Sequence, residues 1–185
     1  MAAYGLKGDT FRFYEINPLV TDASRRYFTF LTDSHAQLEM INGDGRIVLE
    51  QELRSGGSHD FDILVIDAFT SDSIPIHLLT RESAQLYLHH LHPDGILLFH
   101  ITNRFLDLNP VIRGLAGEYD CHAVRLNAKE DLQLGRTPSH WVAVTRNLSL
   151  AHYLEKLPAA ESWREDERQP VLFTDDFSSL FRVIM

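Results

Sequence analysis

Cys121 is the only cysteine in 185 residues, so an internal disulfide is excluded and a reducing, cytoplasmic setting is expected. Basic residues are also scarce. Lysine and arginine number 17 against 26 acidic residues, giving a net charge of −9. No basic run or basic patch interleaved with aromatics occurs, so nucleic acid is not an expected partner. No apolar run approaches the ~20 residues of a membrane helix, and the start carries no signal-peptide pattern, so no membrane partner is expected for this chain. Internal repeats, low-complexity tracts and linkers are missing too. With 44% hydrophobic and 23% charged residues, residues 1–185 read as a single globular domain with enough chain to bury a core.

The most informative stretch is residues 61–75, FDILVIDAFTSDSIP. Ile63, Leu64, Val65 and Ile66 lack the alternation of a half-buried strand, which predicts a central strand of a parallel sheet covered on both faces. Asp67 then falls at its carboxyl end, where open α/β sheets bind ligands, with Asp72 on the following loop. The plainer alternative makes Asp67 a turn cap and Asp72 a solvated loop residue.

Strand-like and helix-like segments alternate along the chain, the pattern of a mostly parallel sheet flanked by helices. Residues 10–16 (TFRFYEI) read as a strand, 19–31 as a helix and 37–41 as a second strand. Asn42-Gly43-Asp44-Gly45 is a turn into a short helix at 46–53. Thr80 caps a helix whose Ala84, Tyr87, Leu88 and Leu91 form one buried stripe, and Pro93-Asp94-Gly95 ends it. Residues 95–101 are the next buried strand, 110–118 a helix, 121–126 and 141–145 further strands, and 150–157 a helix. A polar loop at 158–169 leads to an apolar closing segment at 171–185.

Three acids recur at strand ends: Glu15, Asp44 and Asp67. A carboxylate closing a strand of a nucleotide-binding sheet can accept from both ribose hydroxyls, and Asp44 could accept from a purine amine. Other constellations are thinner. His89, His90 and His92 cluster at a helix end but lack acidic or cysteine partners in register, so no metal site is expected. His77 and His100 are candidates to line a cleft, as are Asn103 and Arg104 after the 95–101 strand. Thr174, Asp175 and Asp176 read as an N-cap with acidic first-turn residues for a last helix. Phe11, Phe13, Tyr14, Phe28 and Phe30 are expected to pack a core.

The strings FYEINP, NGDGR, DILVIDAFTSDSIPIHLLT, LHPDGILLFHITNR and FTDDFSSLF together resemble the spermidine synthase (polyamine aminopropyltransferase) family, over nearly the whole chain. The branch often fused to a transporter-like membrane domain is the most similar, and DAFTSDSIPIHLLT is the most specific block. The resemblance implies a Rossmann-like class I methyltransferase fold. It also implies aminopropyl transfer from decarboxylated S-adenosylmethionine, a co-substrate and not a tightly bound cofactor, to a diamine such as putrescine. By the same resemblance Glu15 holds the donor ribose, Asp44 with Gly43 lies at the adenine, and Asp67 binds and deprotonates the attacking amine. Asp72 matches the family's second loop aspartate by position only, since the usual spacing is shorter.

The family's first strand, its glycine-rich loop and its small amino-terminal β domain are absent before FYEINP. Gly5 and Gly8 are no substitute, because they precede a strand where the fingerprint must follow one. The chain therefore reads as amino-terminally truncated. It is expected either to pair residues 10–16 directly with residues 61–67 across the missing strand, or to pair those edges through another chain in a homodimer. The alternatives to aminopropyl transfer are an S-adenosylmethionine-dependent methyltransferase on the same fold and a non-catalytic remnant or interaction module.

Overall fold

The computed structural model describes residues 1–68, 75–133, 135–164 and 167–185, which divide into two compact units, Met1–Gly56 and Gly57–Met185. In the first unit, β1 (Thr10–Glu15) leads through Asn17 into α1 (Pro18–Tyr27). The Asn17 side chain accepts from the Leu19 N–H and Pro18 occupies the first turn, two features that favour a helix start. The helix ends at Tyr27, short of the expected residue 31. β2 (Gln37–Asn42) then returns parallel to β1, and α2 (Gly45–Ser55) follows, capped by Asp44. Glu52 of α2 binds Arg12 at 2.6 Å and the Tyr14 hydroxyl at 2.9 Å, which ties the helix to β1.

This unit buries few large side chains. Phe11 and Phe13 stack and are half-buried, but Phe28 is 59% exposed and Phe30 is exposed as well. The expectation that all five aromatics pack a core is corrected, because a two-stranded sheet with two helices has too little face to cover them.

The second unit carries β3 (Phe61–Ile66), α3 (Arg81–His90), β4 (Leu91–His100), α4 (Asn109–Glu118), β5 (His122–Ala128), β6 (Ser139–Thr145), α5 (Leu148–Leu154) and a two-residue β7 (Ala160–Glu161). The sheet order is β3-β4-β6-β5-β7. β3 and β4 are parallel, while β6 runs antiparallel to both β4 and β5, and β7 antiparallel to β5. Thus β3, β4 and β5 share one direction, with β6 inserted against it.

Helices cover both faces. Ile96, Val124 and Ala143 pack with Ala151 and Leu154 of α5. Leu97, Phe99, Val142 and Val144 alternate with them and are also buried, on the side where α3 meets β4 and α4 meets β5 and β6. The closing segment adds Phe173 and Val183 to the buried set. Its Val171 N–H donates to the Pro110 carbonyl at 2.9 Å, and the Val171 backbone lies against Gly114, where a side chain would collide with its carbonyl oxygen.

Two expectations need correction. β3 is the edge of its sheet among the described residues, and Ile63 is 60% exposed, so it is not a central strand covered on both faces. An apolar run reports which faces meet apolar neighbours and says nothing of how many strands lie alongside. Finally, Pro93-Asp94-Gly95 does not separate helix from strand. Phe61 lies opposite Leu91 and Ile63 opposite Ile96, so the intervening residues bulge out of β4. Thr145 donates to the Gly95 carbonyl at 2.8 Å and holds the bulge in place.

Candidate active site

In the first unit, the parallel register sets Glu15 opposite Asn42 at the carboxyl ends of β1 and β2. The chain turns there at Gly43, whose φ of +148° favours glycine and whose N–H donates to the Glu15 carbonyl. A side chain at Gly43 would also meet Val48, so the turn is closed to other residues on two counts. Asp44 comes next. Its Oδ1 accepts from the Arg46 and Ile47 N–H groups at 3.0 and 3.1 Å, which starts α2. Glu15 Oε1 accepts from the Asn17 N–H at 2.8 Å. The three residues expected at the donor therefore lie at one sheet end, and both carboxylates also order the loops that carry them.

In the second unit, β3 and β4 pair Ile66 with Phe99, so the next residues, Asp67 and His100, leave their strands side by side. Asp67 Oδ1 lies 2.6 Å from His100 Nδ1, and His100 Nε2 lies 2.8 Å from Thr102 Oγ1. The imidazole is stacked on Trp141 at 4.3 Å and 13°, and Trp141 is its register partner on β6. Thr102 Oγ1 in turn accepts from the His140 N–H at 2.8 Å. The Asp67 side chain is 52% exposed and that of His100 21%, so the carboxylate faces outward from a supported ring.

Asp72 lies outside the described residues. His77 is exposed on a short 3-10 turn, Ile76–Leu78. Asn103 Oδ1 accepts from the Phe105 and Leu106 N–H groups and shapes the loop after β4. The three clustered histidines have separate partners: His90 is fully buried against His59, His89 Nδ1 meets the Gln85 carbonyl, and His92 Nδ1 accepts from the Asp94 N–H. Thr174, Asp175 and Asp176 start no α-helix. Asp175 instead accepts from the Thr80 hydroxyl at 2.8 Å and donates its N–H to Glu82 at 3.0 Å. A shallow cavity of about 190 Å³ lined by Gln85, Leu88, His89, Tyr119 and Arg146 contains none of the expected site residues.

Sequence reasoning missed Thr102 and Trp141, and it named His100 without its bond to Asp67. A signal was present. FDILVID and GILLFH are apolar runs that end in Asp67 and His100, and aligning two adjacent parallel strands by their carboxyl ends sets those residues together.

No family model matches the chain. A polyamine aminopropyltransferase from Vibrio vulnificus is 29% identical over 108 residues, 57% of this chain and 35% of that relative. The structure of a probable spermidine synthase from Corynebacterium glutamicum superposes with a TM-score of 0.55 at 18% identity, covering 91% of this chain and 64% of that one. The chain is thus similar to polyamine aminopropyltransferases and spermidine synthases. It spans about a third of the length of the curated relative and under two thirds of the solved one. Human methyltransferase-like protein 13, solved in complex with SAH, superposes with a TM-score of 0.52 at 13% identity over 84% of this chain and 74% of that one. The fold of the chain is thus the Rossmann-like α/β fold that these spermidine synthase and methyltransferase structures share.

Proposed function

We propose that the chain serves aminopropyl transfer from decarboxylated S-adenosylmethionine to a small diamine of the putrescine type. The observation that carries this reading is Asp67, an outward-facing carboxylate at the carboxyl end of β3 with one oxygen held by His100. An amine substrate arrives as an ammonium and cannot attack until it loses a proton, which a carboxylate in contact with it can accept. In this reading the ammonium gives a proton to Asp67, its lone pair forms a C–N bond to the carbon beside the sulfonium, and the C–S bonding pair returns to sulfur. The product is a secondary ammonium and a neutral thioether, and Asp67 later passes its proton to water. Glu15 takes the donor ribose, Asp44 and Gly43 the adenine, and Asp72 assists Asp67 with the amine.

The support is placement. Glu15, Gly43 and Asp44 share one strand end of their unit, and Asp67 holds the equivalent position in its own. The polyamine aminopropyltransferase name of the Vibrio vulnificus relative points the same way. Labelled decarboxylated S-adenosylmethionine supplied with putrescine tests the reading. Labelled spermidine is the expected product, whereas label transfer only from S-adenosylmethionine itself makes the chain a methyltransferase, and no transfer from either donor counts against catalysis. Pairing of copies through the open edges of β1 and β3 belongs to the same reading, and sedimentation at increasing concentration checks it.

A further inference from the structure

Asp67, His100 and Thr102 are joined in series, and the direction of each hydrogen bond follows from what each group can donate. A carboxylate is an acceptor only, so the proton in the 2.6 Å Asp67–His100 contact sits on His100 Nδ1. In a neutral imidazole the other nitrogen is then bare. A bare Nε2 can only accept, so the Thr102 O–H donates to it at 2.8 Å while Thr102 Oγ1 accepts from the His140 N–H. With the ring neutral, one arrangement satisfies all three bonds: His140 N–H to Thr102, Thr102 O–H to His100 Nε2, and His100 Nδ1–H to Asp67. Trp141 stacks on the ring and fixes its plane.

We infer that His100 is a positioning residue for Asp67: held as the Nδ1–H tautomer between Asp67 and Thr102, it clamps carboxylate oxygen Oδ1 and turns Oδ2 toward the amine. The inference rests on the aminopropyl-transfer reading above. Its content is orientation. Asp67 follows the edge strand β3 and its side chain is more than half exposed, so without a tether it would sample several rotamers. The His100 bond selects one, and no other described residue is recorded on Oδ2.

The same connectivity of acid, imidazole and hydroxyl occurs in nucleophilic hydrolases, where the hydroxyl attacks. Here the Thr102 oxygen accepts from a strand backbone N–H and is half-buried, which suits a fixed support better than a nucleophile.

Two measurements on the full chain test the inference. Nitrogen-15 NMR of histidine-labelled protein, with His100 assigned by its loss in His100→Asn, reads the tautomer without any substrate. Nδ1 protonated and Nε2 bare is expected, and Asp67→Ala should abolish that preference. A wild-type Nε2–H tautomer overturns the inference. In the transfer assay, His100→Ala is expected to lower kcat by about a hundredfold, the scale of a misplaced catalytic group, with KM for the amine moving less. His100→Asn, which keeps an N–H close to the Nδ1 position, should recover about tenfold of that loss. A merely structural histidine would give no such recovery, and an Ala variant with wild-type kcat overturns the proposal while leaving the transfer reading intact. If the wild type transfers nothing, the transfer reading fails, and an Nδ1–H tautomer then marks only a structural pair. Labelling of Thr102 by a fluorophosphonate probe would overturn the support role in favour of a nucleophile.

Discussion

The Thr80 hydroxyl donates to the Asp175 carboxylate at 2.8 Å and accepts from the Ser83 N–H at 3.2 Å. One buried side chain thereby caps α3 and anchors a segment 95 residues further along. Ser83 returns the bond to the Thr80 N–H, and Arg81 donates its N–H to the Phe173 carbonyl. The acidic pair read from sequence as the start of a helix is thus a fastener for the start of another. Asp175→Ala is expected to cost about 1–2 kcal/mol, because it removes a buried hydrogen bond between α3 and the closing segment. Denaturant titration measures the loss, and Asp175→Asn, which keeps an acceptor oxygen, should recover part of it.

Asp67→Asn is expected to lower turnover by about a hundredfold or more, since an amide neither attracts an ammonium nor takes its proton. The side chain is exposed and the amide can still accept from His100, so the melting temperature should stay close to wild type. Unchanged turnover would return Asp67 to the role of a turn residue.

Burial, reinforced by the hydrogen bond to Glu52, pushes the Tyr14 phenol well above its usual value, and Arg12 opposes this only in part. The folded state therefore keeps a proton that the unfolded chain releases near pH 10. Above that pH the unfolded state binds fewer protons than the native one, so stability falls as pH rises. Below it both states are protonated and the contribution is flat. Alkaline denaturation should show this fall in the wild type and a shallower one in Tyr14→Phe.

Gly114→Ala is expected to destabilise the second unit by about 2 kcal/mol or more, because the added methyl meets the Val171 backbone and not a side chain that can swing away. Circular dichroism melts would show it. A neutral result would mean that residues 171–185 reseat without cost.

Much of the element order was legible because it depends on local signals. Thr80 was read as a helix cap, and the Asn17-Pro18 break and the turn at 42–45 as the approaches to helices; a helix starts at each, and the apolar runs at 61–66 and 95–101 lie in strands that formed. What the sequence hid was lateral. Whether Ile63 lies inside a sheet or at its edge, and whether β6 runs with or against its neighbours, depends on pairing partners distant in sequence. The site shows the same split. Glu15, Asp44 and Asp67 were visible as acids at strand ends, but Trp141 comes from the paired strand β6, and Thr102, two residues after His100, is fixed by the His140 N–H of that same strand. They acquire a role only once His100 and Trp141 are known to face each other across β4 and β6.

The position of β6 between β4 and β5 also has a consequence for a chain emerging from the ribosome. β5 is made first, yet its neighbour on the β4 side is β6, so it must wait unpaired until residue 145 has appeared. Until then β4 can zip only onto β3, and one of its edges stays open beside Leu97 and Phe99. Co-translational assembly of this unit is therefore late and concerted, and the interval before β6 arrives is when a nascent chain is most exposed to wrong pairing.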